Sequence, residues 1–209
     1  NNRWIDFAQN KGKETGAYCA SPYFTHSYVF ISWTGKMAET FVLAHELGHA
    51  GHFKLAQDHQ NLLESEASMY FVEAPSTMNE MLMSNYLFET SDDPKFKRWV
   101  IGSIISRTYY HNMVTHLLEA AYQREVYSRV DNGESLTAPL LNEIMLNTYK
   151  AFFGDTVEMT DGVELTWMRQ PHYYMGLYSY TYSAGLTIGT VVSQCIKNEG
   201  QPAVDRWLK

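Results

Sequence analysis

Cysteine is scarce: Cys19 and Cys195 are the only two in 209 residues, and they stand far apart. That argues against a disulfide framework, a paired zinc knuckle or a dithiol redox motif, and it fits a reducing, cytoplasmic setting. Positive charge is also in short supply. Lys and Arg number 16 against 23 Asp and Glu, a formal net charge of −7. No basic stripe runs through the chain, so nucleic acid is not an expected partner. Long apolar runs are missing as well. None approaches the roughly 20 residues that cross a bilayer, so no membrane partner is expected either. The stretch Asn1-Asn2-Arg3-Trp4-Ile5-Asp6 lacks the apolar centre of a secretory leader, and there is no internal repeat or low-complexity tract. What is left is an ordinary globular composition, 45% hydrophobic and 19% charged. The chain is long enough for one solid core or two small ones.

Aromatic residues, by contrast, are plentiful at 14%, with fifteen tyrosines unevenly spread. Residues 1–35 read as irregular chain with some strand: Ala17 to Ala20 as a short extended piece, and Ser27 to Trp33 (SYVFISW) as an aromatic, β-branched strand ended by Gly35. From there the pattern turns helical. One helix is expected from about Lys36 to Leu55, and a second from about Leu62 to Leu87, kinked or broken at Pro75. Ser91-Asp92-Asp93-Pro94 starts a third that reads as one long helix over Lys95 to Val130. Leu140 to Phe153 is a fourth, stopped by Gly154, and Pro171 opens a final helical region to about Lys197. The expected class is mainly α with a small β-sheet near the N-terminus.

The strongest chemical signal lies in the first helix, His45-Glu46-Leu47-Gly48-His49. Positions i and i+4 of a helix share a face, so two imidazoles address one point, as a tetrahedral zinc ion requires. Glu46 sits on the adjoining face, where it can exchange a proton with a water that attacks a peptide carbonyl. Two histidines alone would be unremarkable on a surface helix. The glutamate in the required place, inside an apolar helix, marks a zinc peptidase site. A hydrolytic zinc site has three protein ligands and leaves the fourth position to water. His52, Asp58, His59, Glu64, Glu66, Glu73 and Glu80 all follow within reach. A metzincin would need glycine and histidine where His52 and Leu55 stand, so that class is excluded. A carboxylate from the next helix is the natural third ligand, and spacing alone leaves Glu66, Glu73 and Glu80 open.

The stretches HELGHAGH (45–52) and FVEAPSTMNEML (71–82) resemble the thimet oligopeptidase and oligoendopeptidase F family of zinc peptidases. GKETGAYC (12–19) and RQPHYYMGLYSYTYSAG (169–185) bring the likeness closer to the oligoendopeptidase F branch. The resemblance implies a zincin-like helical metallopeptidase core with one Zn2+ per chain, held by His45, His49 and Glu73. It implies Glu46 as general base and acid, Glu80 as a carboxylate behind the ligands, and His52 as a supporting residue. His172, Tyr178 and Tyr182 would lie over the substrate and stabilise the oxyanion. Gly16, Ala17 and Tyr18 would pair with the substrate backbone. Members of this family are much longer, so residues 1–209 are expected to be the catalytic part of a longer chain. The implied activity is endopeptidase cleavage of oligopeptide substrates. Cleavage nearer a chain end, or a fragment that binds zinc and peptide without turnover, are the rival expectations. Nothing in the sequence sets an oligomeric state.

Overall fold

The computed structural model describes residues 2–169 and 171–209, so Gln170 of the fourth motif lies outside the described residues, as does Asn1. Helices dominate, and a three-stranded sheet lies near the N-terminus, with β1 (Ile5–Asp6), β2 (Ala17–Ala20) and β3 (Tyr28–Ile31). The sheet order is β1-β3-β2. β2 runs antiparallel to β3 in the register Ala17↔Ile31 to Ala20↔Tyr28. β1 runs parallel to β3 with Ile5↔Val29. The chain divides into two compact units, Asn1–Tyr109 with Ala184–Lys209, and Tyr110–Ser183.

The first unit is built on α1 (Ala38–His59) and α2 (Glu73–Thr90). α1 packs on α2 and on β2 and β3. It starts where the Glu39 carboxylate accepts the backbone N–H groups of Gly35 (2.9 Å) and Lys36 (3.2 Å), donors with no helical partner of their own. It reaches His59 rather than Leu55. The second helix differs from expectation. Residues 60–72 form turns, helped by Asn61 Oδ1 accepting the Leu63 N–H at 2.9 Å, a local bond that competes with helical ones. α2 then begins at Glu73, so Pro75 lies in its first turn. There a missing N–H costs nothing, and no kink follows.

Two glycines set how closely these helices cross. A Cβ on Gly48 of α1 would stand 2.5 Å from the Pro75 carbonyl oxygen. One on Gly185, in α6 (Tyr178–Glu199), would stand 2.6 Å from the Glu73 carbonyl oxygen. Only hydrogen fits at either point. α3 (Pro94–Ser103) has Asp93 as its cap, accepting the Lys95 N–H at 2.9 Å. The expected single long helix continues from it, but its winding changes. Ile104–Tyr109 and His111–Thr115 are π-helical before α4 (His116–Asp131) resumes the α form. α7 (Gln201–Trp207) closes the first unit, with Trp207 against Phe71.

In the second unit α4 packs on α5 (Ala138–Phe153) around buried Tyr122, Ile144, Met145 and Tyr173. Pro171–Tyr174 is a single 3₁₀ turn rather than the start of a long helix. Gly176 follows at φ +61°, the left-handed region that ends a turn, and α6 begins only at Tyr178. Gln123 pins this break by donating to the carbonyls of His172 (3.0 Å) and Gly176 (2.6 Å).

Candidate active site

α1 carries His45, Glu46 and His49, and the first turn of α2 supplies Glu73, which is 1% exposed. Glu73 Oε2 lies 3.2 Å from His45 Nε2 and 3.4 Å from His49 Nε2. One donor atom from each of the three residues falls within 4.8 Å of the others. Ser76, one turn on, donates its hydroxyl to the same Glu73 oxygen at 2.7 Å. Behind the ring of His45, Nδ1 meets Glu80 Oε1 at 2.7 Å, and Thr108 donates to Glu80 Oε2 at 2.7 Å. A carboxylate at Nδ1 holds the proton there and turns Nε2 toward the cluster. His49 is steadied by Phe53, whose ring stacks on it at 5.9 Å.

Of the carboxylates left open by spacing, Glu73 therefore points between the two imidazoles and Glu80 lies behind one of them. Glu66 is exposed. Glu64 accepts from Asn61 (2.6 Å), Asp58 pairs with Lys54, and His59 bonds the Leu55 carbonyl, so none of these turns to the cluster. His52 is apart from it too. Its ring meets Phe53 and Phe71 at 5.8 and 5.7 Å, against the segment that leads into Glu73.

The electrostatics follow from burial and pairing. Burial works against a charged His45, yet the carboxylates of Glu73 and Glu80 more than offset it and raise its pKa well above the usual imidazole range. Glu73 is the counterpart. Burial would raise its pKa, but hydrogen bonds from His45 and His49 hold it well below the carboxylate norm. Glu46, 5% exposed, is pushed the other way, chiefly by burial, with the two histidines partly countering and Glu73 and Glu80 adding to it. Cys19 on β2 is raised by burial, and it also feels the negative charge of Glu46. Just before β2, the Gly16 carbonyl accepts the Ser32 N–H at 2.9 Å, and within it Ala17 and Tyr18 pair with Ile31 and Phe30. Being outermost in the sheet order, β2 has no strand on its other edge among the described residues.

His172, Tyr178 and Tyr182 meet in the second unit. The two tyrosine hydroxyls are 3.2 Å apart, and His172 stacks on Tyr178 at 5.3 Å. The sequence did not single out the residues beside them. His116 stacks on Tyr182 at 4.2 Å, its Nδ1 bonds Glu119 Oε2 at 2.7 Å, and His111 lies 4.3 Å from His116. Burial would raise the Glu119 pKa, but the bond from His116 leads the effects that lower it. The available signal was His116 with Glu119 at i, i+3, a spacing that shares a helix face.

A sequence profile described as "Peptidase family M3" matches residues 1–206. The chain belongs to peptidase family M3. Among its M3-like relatives, "Oligopeptidase PepF" of Bacillus subtilis (strain 168) is 31% identical over 207 residues, covering 99% of this chain and 31% of the relative. "Oligoendopeptidase F, chromosomal" of Lactococcus lactis subsp. cremoris is 24% identical over 192 residues, covering 92% and 32%. A Chlamydophila abortus protein of known crystal structure superposes with a TM-score of 0.71 at 27% identity, covering 98% of this chain and 34% of that one. The chain thus spans about a third of the length of these M3 relatives. Among the described residues no helix is long and apolar enough to cross a membrane.

Proposed function

We propose that this chain is the catalytic part of a zinc-dependent M3 endopeptidase that cleaves oligopeptides at internal bonds, with one Zn2+ held by His45, His49 and Glu73. The observation that carries the reading is the convergence of two imidazole nitrogens and one carboxylate oxygen beside a buried glutamate, with His45 and Glu73 each held by a further hydrogen bond. Two nitrogens and one oxygen suit a catalytic zinc site with an open position. When bound, zinc supplies Lewis acidity, lowering the pKa of water toward about 7 and polarising a carbonyl.

The remaining steps fall to the chain's own groups. The Glu46 carboxylate takes the proton of the attacking water and returns it to the leaving amine nitrogen. Burial makes that carboxylate a better base than an exposed one, closer to what proton transfer near neutrality needs. The free edge of β2, along Ala17 and Tyr18 with Gly16 leading into it, hydrogen-bonds an extended peptide through main-chain groups, which places the scissile bond with little demand on side-chain identity. The resemblance assigns stabilisation of the oxyanion to the Tyr178 and Tyr182 hydroxyls with His172, which meet in the second unit. His52 supports the segment before Glu73 by packing on Phe71.

Glu46→Gln separates binding from turnover. Zinc content is expected to stay at the wild-type level, while peptide hydrolysis falls by about 10²–10⁴-fold. Hydrolysis that survives at the wild-type rate would remove Glu46 from this role. Mapping the products of a defined peptide tests the mode of attack, since internal cuts support an endopeptidase and release of terminal residues supports the end-acting reading.

A further inference from the structure

The segment Ile104–Tyr109 is wound as a π-helix. Such winding is rare and appears frequently at functional sites. The buried residue of this segment is Thr108, 2% exposed. Its hydroxyl donates to Glu80 Oε2 at 2.7 Å, across 28 residues of sequence, and the other Glu80 oxygen holds His45 Nδ1 at 2.7 Å.

We propose that Thr108 is a positioning residue for the metal centre, acting through Glu80 on His45. A glutamate side chain held at one oxygen still turns about its three side-chain torsions. Bonds at both oxygens fix the carboxylate plane, and with it the direction of the His45 ring. Without the Thr108 hydroxyl, a carboxylate oxygen of a side chain only 14% exposed loses its donor. Glu80 regains rotamers, and His45 Nε2 is held less firmly toward Glu73 and His49. The π winding is what delivers Thr108, since insertion of extra residue per turn shifts which side chain faces inward. The neighbouring Tyr109 has a separate anchor, its hydroxyl lying 2.8 Å from Thr190 Oγ1.

The inference rests on the zinc reading and is tested on the whole chain by competing zinc away with a chromophoric chelator. The absorption spectrum of the Co2+-substituted protein serves as a second readout. Thr108→Val is expected to weaken zinc about tenfold and shift the Co2+ bands, while Thr108→Ser and Tyr109→Phe stay within about twofold of wild type. If Thr108→Val does not fold, Thr108→Ala carries the same expectation. Wild-type affinity in the variant that lacks the hydroxyl, or an equal loss in Thr108→Ser, overturns the inference. The two readings fail differently. A wild-type chain that takes up no zinc overturns both, whereas zinc lost in Glu80→Gln and kept in Thr108→Val overturns the role of Thr108 alone.

Discussion

Among the described residues, two polar clusters rich in histidine stand out, one in each compact unit, and they are assembled in different ways. In the first unit His45, Glu46 and His49 come from one helix, and Glu73 joins them because glycines let neighbouring helices approach to backbone contact. In the second unit the partners are drawn from three separate stretches. His111, His116 and Glu119 come first, then His172, then Tyr178 and Tyr182. Both clusters contain an imidazole whose Nδ1 is bonded to a carboxylate at 2.7 Å, His45 to Glu80 and His116 to Glu119. In the first the imidazole's other nitrogen faces two further donor atoms. In the second its ring lies flat on a tyrosine. The same dyad thus serves a donor set in one place and an aromatic stack in the other, and the surroundings decide which.

The largest contrast is expected when each cluster loses a carboxylate. Glu73→Ala should abolish tight zinc binding, and Glu119→Gln should leave zinc content unchanged, both read by metal analysis of the purified chain. Zinc loss in Glu119→Gln would mean that the clusters are not separable. Next comes backbone approach. Gly185→Ala sets a methyl against the Glu73 carbonyl, while Gly189→Ala sets one 2.9 Å from the Met78 nitrogen on the same helix pair. Each should cost about 1–3 kcal/mol in thermal unfolding. Only Gly185→Ala should also weaken zinc, because it displaces the residue that bears the carboxylate.

The smallest effect concerns acid. The Glu119 pKa is lowered in the fold below its ordinary value of 4.5. Its contribution is therefore present above 4.5 and is lost as pH falls through the lower, folded value. Thermal unfolding of the wild type should decline more steeply below pH 4.5 than that of Glu119→Gln. Parallel curves would show that the His116–Glu119 bond adds nothing to stability.

The same contrast explains which parts were legible in the sequence. His45, Glu46 and His49 lie within five positions, where helical geometry alone places them. Ser27–Trp33 announced itself by aromatic and β-branched content and Ala17–Ala20 as a short extended piece, and both are strands, the first trimmed to Tyr28–Ile31. β1, two residues long, carries no pattern to detect. Pro75 misled because proline breaks a helix interior but suits a first turn, and nothing local said that α2 starts at Glu73. The π winding at Ile104–Tyr109 lies inside a run that reads as one continuous helix, and no residue in it signals the change. Spacing could not choose between Glu66, Glu73 and Glu80, because the choice is made by helix crossings at Gly48 and Gly185. Resemblance to relatives named Glu73. The His116–Glu119 pair was visible only as an i, i+3 spacing, which surface helices carry just as often.

The central claim is that His45, His49 and Glu73 together hold one zinc ion that hydrolysis needs. Its most direct test is zinc titration of the purified, metal-stripped chain, with peptide cleavage followed at each addition. Saturation is expected at about one zinc per chain, with cleavage rising in step and vanishing with a chelator, and neither in a Glu73→Ala variant. Cleavage that persists in the stripped protein, or zinc uptake unchanged by Glu73→Ala, would contradict it.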